Sequence, residues 1–207
     1  MKRLILASSS LQRKEILAQI GLRFETVTSK VDEKLNPRLK PKGNAEQLSL
    51  LKALTVAALY TDKADTLKKK TRKTNKEGVI VLAADTFVVL DGEIIGKPDD
   101  AKQAKRTLGR LSGRMHSVIS GFTIIDTFTN KTITESVETK VYFRKISLKD
   151  IDDYVRSGEP FNKAGAYGIL EKGSIFIERI DGEPFNIAGL PLYAVSEALK
   201  KFGVKVL

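Results

Sequence analysis

The sequence predicts an α/β protein in which a mixed β-sheet is flanked by helices. In the first half of the chain, short apolar runs rich in β-branched residues alternate with segments of helical periodicity, whereas longer strands dominate the second half. The chain has 207 residues, enough for one sizeable core, and it shows no internal repeat and no clear linker. We therefore expect a single domain over residues 1–207.

Composition excludes several classes of protein. Cysteine is absent, so there is no disulfide framework, thiolate metal site or thiolate nucleophile, and we expect a cytoplasmic protein. No apolar run approaches the roughly 18 residues of a membrane span. The apolar run at residues 4–7 is too short for a signal peptide and is predicted to be the first strand. The net charge of +11 favours polyanionic partners, without choosing among nucleotides, nucleic acids and anionic membranes.

Residues 79–98 form the most informative stretch of the chain. Residues 79–83 are an apolar, β-branched run too short for a buried helix, which is typical of a strand covered on both faces. A second apolar run, residues 87–90, leads into Asp91-Gly92, which is a strong hairpin signal. Residues 93–95 are the predicted return strand.

A carboxylate and an ammonium group are expected to meet at this hairpin. Asp85 follows the first apolar run, where a buried strand would reach a cleft, and the hairpin brings Lys97 back near it. This pairing is suited to a functional site. A structural ion pair, or an aspartate that only ends the strand, explains the pattern equally well.

The N-terminal strand, residues 3–7, leads through a serine-rich turn into a helix over residues 12–20. Ser10 is the expected N-cap. Free backbone N–H groups, serine hydroxyls and the cations Arg13 and Lys14 would converge at the start of this helix, which suits an anion. An ordinary capped helix explains the same residues and is favoured by the pattern alone.

The remaining elements follow from periodicity and from capping signals. Helices are predicted at residues 44–60 with Asn44 as N-cap, 99–111 with Asp99 as N-cap, 147–157 with Ser147 and Asp150 as a capping box, and 188–202. Strands are predicted at residues 24–28, 116–126, 132–146 and 174–180, with an edge strand at 204–207.

Two isolated residues are predicted to be structural or solvated rather than functional. His116 is the only histidine, so a site with several histidine ligands is excluded. Lys52 is a lone lysine on a helix with an apolar face. It would gain a functional role only from a partner in space.

Residues 62–78 differ in character from the rest of the chain. Over residues 62–77, seven basic and three acidic side chains give a net charge of +4, with almost nothing to bury. We predict a mobile, basic surface loop. Nucleic-acid binding is the weaker prediction, because no aromatic residue is interleaved for base stacking.

Six short motifs occur in a fixed order along nearly the whole chain. The first is LASSSLQRKEIL near the N-terminus, which is similar to an S-x-S-P-R-R element. The others are ADT at 84–86, GKP at 96–98, SG-x-x-H at 112–116, KAGAYGI at 163–169 and GLP at 189–191. Any one of them would mean little, but the six in register resemble the Maf family of nucleoside-triphosphate pyrophosphatases.

This resemblance implies two lobes around a central cleft, as in inosine triphosphatase-like folds. It implies hydrolysis of a nucleoside triphosphate to the monophosphate and pyrophosphate, with Mg²⁺ or Mn²⁺ as the cofactor. By resemblance, Asp85 is the catalytic residue that orients or deprotonates the attacking water, and Glu33 and Asp85 hold the metal. The implied substrate-binding residues are Ser8, Ser10, Gln12, Arg13, Lys52, Thr86, Lys97, Lys163 and Leu170. A membrane partner is not expected, and a homodimer stays open.

The chain departs from the family pattern at three positions. Gln12 replaces the first arginine of a pair, Asn162 replaces an acidic residue, and Leu170 replaces a glutamine. Among the family's residues linked to substrate choice, only Thr86 is kept. The pattern still leans towards dTTP and UTP, with relaxed or redirected selectivity because leucine cannot hydrogen-bond to a base. The departures leave open a nucleotide-binding, septum-related regulatory protein with weak or lost catalysis.

Overall fold

The computed structural model describes residues 2–61 and 78–206. The strands are β1 (Arg3–Leu6), β2 (Phe24–Thr26), β3 (Val79–Leu90), β4 (Glu93–Ile95), β5 (Met115–Asp126), β6 (Thr132–Phe143) and β7 (Ile177–Asp181). The α-helices are α1 (Leu11–Gln19), α2 (Pro41–Ala57), α3 (Ala101–Leu111), α4 (Leu148–Arg156), α5 (Pro184–Ile187) and α6 (Leu192–Lys200). The predicted basic loop, residues 62–78, lies outside the described residues apart from Gly78. None of the described helices is long and apolar enough to cross a membrane.

The strands form one mixed sheet, as predicted, in the order β2-β1-β3-β5-β6-β7, with β4 paired to β3. β1 is parallel to β2 and β3, and α1 and α2 make the crossovers that parallel neighbours need. The other neighbours are antiparallel. The hairpin predicted at Asp91-Gly92 is confirmed, and both turn residues have positive φ, 53° and 80°, as a type I′ turn requires.

Two buried clusters lie on the same face of the sheet. Ile80 and Leu82 of β3 belong to one cluster, which α1 and α6 cover, and Val88 and Leu90 belong to the other, which α3 and α4 cover. Because alternate residues of a strand share a face, Thr86 lies on this face between the two clusters. The two clusters divide this face of the sheet between two sets of helices.

Helix α2 covers the opposite face of the sheet. Val81 and Ala83 of β3 form a third buried cluster with Ala53 and Val56 of α2. Asp85, the next residue on this face, therefore points to the side of the sheet that carries α2.

The position of Asp85 corrects one prediction. The sequence predicted that a buried strand ends before Asp85, whereas β3 runs without a break from Val79 to Leu90. The strand continues because β5 pairs with it along its length, with Gly121 directly opposite Asp85. Asp85 therefore projects from the face of the sheet and not from the end of a strand.

Two of the predicted N-caps are wrong. α2 begins at Pro41, a residue that favours the first turn of a helix, so Asn44 lies inside the helix. The Asn44 side chain instead accepts a hydrogen bond from the Asn36 N–H at 2.7 Å and thereby holds the preceding loop. Asp100 caps α3 in place of Asp99.

Of the other local predictions, some are confirmed and some are wrong. Ser10 and Ser147 are confirmed as N-caps of α1 and α4. The last strand begins later than predicted, because Lys172–Phe176 forms a 3-10 helix. Residues 204–206 are not in a strand, so the predicted edge strand is wrong for these residues.

Candidate active site

The ammonium group of Lys52 joins two carboxylates from separate elements. Its Nζ atom donates a hydrogen bond to Asp85 Oδ1 and lies 2.8 Å from Glu33 Oε1. Lys52 belongs to α2, Asp85 to β3 and Glu33 to the loop between β2 and α2. Lys52 and Asp85 are buried, whereas the Glu33 side chain is largely exposed. Lys52 therefore has the partners in space that its sequence position alone did not reveal.

The charges around Glu33 favour its ionised form. Partial burial by itself would raise the pKa of Glu33. The hydrogen bond and charge of Lys52, together with the charges of Lys97 and Arg13, outweigh burial and hold this pKa below its ordinary value. Lys97 is exposed, and the structure brings it within electrostatic reach of this carboxylate.

Arg13 connects the first turn of α1 to the strand that carries Asp85. Its Nη2 donates to Thr86 Oγ1 at 3.1 Å, and its Nε donates to the Gly189 carbonyl oxygen at 2.8 Å. A longer contact of 3.5 Å joins its Nη1 to Ser8 Oγ. Burial lowers the pKa of the Arg13 guanidinium, against the charge of Asp85, which raises it. Arg13 thus joins residues from three of the six sequence motifs.

Ser8 and Ser10 organise the turn before α1. Ser10 Oγ accepts the Arg13 N–H at 3.4 Å, and Ser8 Oγ accepts the Ser10 N–H at 3.1 Å. A hydroxyl can also donate one hydrogen bond. Among residues 2–61 and 78–206, neither hydroxyl donates to a partner, so both protons are available to a phosphate oxygen.

Three of the predicted substrate-binding residues contact or adjoin Glu171, a residue that the sequence analysis did not identify. Glu171 Oε1 accepts hydrogen bonds from Lys163 Nζ at 2.8 Å and from Gln12 Nε2 at 3.3 Å. Leu170 precedes it and is exposed. The charge of Lys163 is therefore offset by a carboxylate, which the prediction of a free substrate-binding lysine did not include.

A hydroxyl network behind Thr86 was also missed. Thr86 Oγ1 lies 2.8 Å from Ser120 Oγ, and Ser120 donates to the Asn186 carbonyl oxygen at 3.2 Å. Asn186 is fully buried, and its Nδ2 donates to the Val118 carbonyl oxygen at 2.9 Å. Strand register brings Ser120 opposite Thr86, and no local pattern in the sequence reveals that pairing.

His116 lies away from these polar groups, in a buried aromatic cluster with Phe143 and Tyr167. Its Nε2 is 2.8 Å from Tyr167 Oη, and within the described residues its Nδ1 has no hydrogen-bond partner. Burial lowers the pKa of His116 to about 4, so the ring is neutral at pH 7. This environment agrees with the structural role expected for it.

Comparison with known proteins identifies the family. A family profile described as "Maf-like protein" matches residues 3–202. The chain belongs to the Maf family. A relative from Acetivibrio thermocellus, named dTTP/UTP pyrophosphatase, is 44% identical over 100% of this chain and 98% of the relative. Relatives of the same name from Dictyoglomus turgidum and Moorella thermoacetica are 42% and 40% identical, again over 100% of this chain and over 99% and 98% of their own lengths.

Among solved structures, a HAM1 protein from Coxiella burnetii aligns with 97% of this chain and 100% of its own, at a TM-score of 0.48 and 14% identity. The Maf family membership stands on the family profile and on the relatives, which span the whole chain.

Glu33 and Asp85, which the resemblance predicts to hold a metal ion, have the ligand chemistry that a divalent cation such as Mg²⁺ prefers. In the part of the chain that the structure describes, no group of three or more histidine and carboxylate side chains is placed to hold a metal ion. Mg²⁺, however, is commonly bound by one or two carboxylates together with substrate phosphates and waters. Glu33 and Asp85 supply two such carboxylates. In the structure the Lys52 ammonium group contacts both of them.

Proposed function

We propose that this Maf family protein hydrolyses a nucleoside triphosphate between the α- and β-phosphates, releasing the monophosphate and pyrophosphate. The observation that carries the proposal is the convergence of Glu33 and Asp85 on Lys52, beside Arg13. The relatives named dTTP/UTP pyrophosphatase support the same reaction. A cytoplasmic location belongs to the proposal because nucleoside triphosphates are used there.

Cationic and hydroxyl groups supply the phosphate-binding part of the proposal. A triphosphate is strongly anionic, and its charge must be offset before an oxygen nucleophile can approach. Arg13, Lys52 and Lys97 all lie within electrostatic reach of Glu33. The Ser8 and Ser10 hydroxyls and the start of α1 add hydrogen-bond donors.

Asp85 is the proposed general base. Its carboxylate is held by Lys52 on the face of β3, and it would orient a water and accept a proton from it as the water attacks the α-phosphorus. Glu33 and Asp85 would hold Mg²⁺ or Mn²⁺, which when bound offsets phosphate charge. Lys52, which contacts both carboxylates in the structure, would give up these contacts to the cation and contact a phosphate oxygen instead.

For the base, we propose the pyrimidine nucleotides UTP and dTTP, with altered selectivity. Support comes from the names of the relatives and from Thr86, which Arg13 contacts. Gln12 and Leu170 are the residues through which selectivity would differ from the family pattern. Leu170 offers only apolar surface to a base.

Pyrophosphate release tests the proposal directly. The purified protein is incubated with a panel of ribo-, deoxyribo- and modified nucleoside triphosphates, with Mg²⁺ or with Mn²⁺. Asp85→Asn should abolish release, because an amide cannot accept the proton, while Asp153→Asn on the exposed face of α4 should match wild type. A panel without turnover under either metal rejects the enzyme. Tight triphosphate binding by calorimetry without product would then favour the regulatory alternative.

A further inference from the structure

Glu171 introduces a negative charge beside a group of cationic residues. Through its Oε1 atom it connects Lys163, on the loop that follows α4, with Gln12 in the first turn of α1. Gln12 immediately precedes Arg13, whose guanidinium reaches Thr86. Glu171 therefore contacts the residue that precedes the proposed phosphate-binding arginine in the first turn of α1.

The Glu171 carboxylate is held in place and retains a free acceptor. The Lys163 stem packs against Gly168, where a Cβ atom would be only 2.8 Å from Lys163 Cε, and the Lys163 side chain is mostly buried. Both hydrogen bonds end on Oε1. From the described residues, Oε2 receives no hydrogen bond, and the side chain is 42% exposed.

Charge decides which half of a nucleotide this oxygen can face. A carboxylate repels phosphate groups, so it is unsuited to the triphosphate. It is suited to an N–H or O–H donor, which the base and the ribose carry. Leu11 and Leu170, which immediately precede Gln12 and Glu171, are 67% and 47% exposed and offer apolar surface that a base can cover.

We propose that Glu171 is a specificity-determining residue that accepts a hydrogen bond from an N–H or O–H group on the nucleoside half of the substrate. Gln12 helps to fix the position of the carboxylate through its hydrogen bond to Oε1, and its amide offers the substrate a second polar contact. This inference rests on the proposed function. It assigns recognition of the base or the ribose to a residue outside the six motifs. That residue follows Leu170, whose side chain cannot form a hydrogen bond.

The test compares selectivity, and not only rate, between wild type, Glu171→Gln and Glu171→Ala. The substrates are UTP, dUTP, which lacks the ribose 2′-hydroxyl, and N3-methyl-UTP, which lacks the N3–H donor. Glu197→Gln, an exposed carboxylate on α6 that pairs with Lys200, is the matched control. Loss of Glu171 also frees the Lys163 charge, which by itself would lower KM for every triphosphate, so only the ratios of kcat/KM between substrates report recognition.

Wild type should prefer UTP over one of the two analogues by about tenfold or more, as expected for a hydrogen bond to a charged group. Glu171→Ala should bring that ratio close to one, and the analogue affected identifies the donor as N3–H or as the 2′-hydroxyl. If both variants change all three substrates by the same factor, Glu171 acts only through charge and the inference is wrong. A wild-type protein that hydrolyses no triphosphate rejects the proposed function, and the inference with it.

Discussion

Gly121 lies so close to Ala45 that a Cβ atom at position 121 would be 2.3 Å from the Ala45 carbonyl group. Gly121 is directly opposite Asp85 in the β3–β5 pair, and Ala45 is on the helix that carries Lys52. The missing side chain thus lets α2 lie directly on the sheet beside the catalytic candidate. Contact between Lys52 and Asp85 depends on this close packing.

Gly121→Ala should therefore damage both stability and the site. The added methyl group meets backbone, which cannot move aside as a flexible side chain can, so α2 must shift. We expect a loss of about 2 kcal/mol or more in the free energy of unfolding, measured by urea denaturation. Pyrophosphate release should fall on the order of 100-fold, because a shift of about 1 Å misplaces Lys52.

Gly109→Ala is the matched control for this change. Gly109 lies inside α3 with nothing within 4 Å of its added Cβ atom, so the same substitution should leave activity unchanged and raise stability by up to about 1 kcal/mol. If Gly121→Ala were as stable as wild type, the packing of α2 on the sheet would not depend on the close approach of Ala45 to Gly121.

Most of the fold could be predicted from local patterns. The alternating strands, the Ser10 and Ser147 caps and the Asp91-Gly92 hairpin each depend on residues close together in sequence, where periodicity and turn chemistry act. Asn44 shows where such a signal fails. It has the residue type of an N-cap, but Pro41 starts the helix earlier and leaves Asn44 to bind the loop.

The site could be predicted only in part. Sequence motifs identified Arg13 and Asp85, and the structure places both near Glu33. Ser120 and Glu171 were missed because their contacts depend on strand register and on a pairing across 159 residues, between Gln12 and Glu171. Neither feature leaves a local pattern in the sequence.

Ser120→Ala should weaken substrate binding through Thr86. Without the Ser120 hydroxyl, Thr86 Oγ1 loses a partner at 2.8 Å, and the Asn186 carbonyl oxygen loses one donor but keeps the Gly189 N–H at 3.1 Å. Thr86 Oγ1 then keeps its contacts with Arg13 at 3.1 Å and with the Gly189 carbonyl oxygen at 3.3 Å, and is held less firmly in place. Steady-state kinetics should show KM for the triphosphate raised several-fold with kcat little changed, and stability lowered by about 1–2 kcal/mol.

Ser117→Ala provides the comparison for Ser120, since Ser117 is on the same strand but donates to the exposed Glu138. Its kinetics should equal those of wild type. A fall in kcat with unchanged KM in Ser120→Ala would instead place the hydroxyl network in the chemical step.

His116 should make the protein less stable in mild acid. The folded pKa is about 4 and the ordinary pKa is 6.5, so between these values the unfolded chain binds a proton that the folded protein does not. The stabilising difference is complete above pH 6.5 and is lost as pH falls towards 4. The full loss is on the order of 3 kcal/mol.

His116→Phe isolates this effect, because phenylalanine is apolar and does not titrate. Urea unfolding is measured for both proteins at several values from pH 7 to pH 4.5. The difference between wild type and variant should shift in favour of the variant as pH falls, while the carboxylates common to both cancel. Parallel curves would mean that His116 does not titrate on unfolding in this range.

Lys52→Met should destabilise the protein in a way that a divalent cation partly reverses. Removal of the ammonium group leaves the buried Asp85 carboxylate without its partner beside Glu33, at a cost of about 3–5 kcal/mol. With no ammonium group to compete, Mn²⁺ should bind between the two carboxylates and raise Tm more in the variant than in wild type. The double variant Lys52→Met/Asp85→Asn lacks one carboxylate and should lose that extra rise. Scanning calorimetry over a Mn²⁺ titration measures all three proteins, and equal shifts in wild type and Lys52→Met would show that the carboxylates do not form a cation site without substrate.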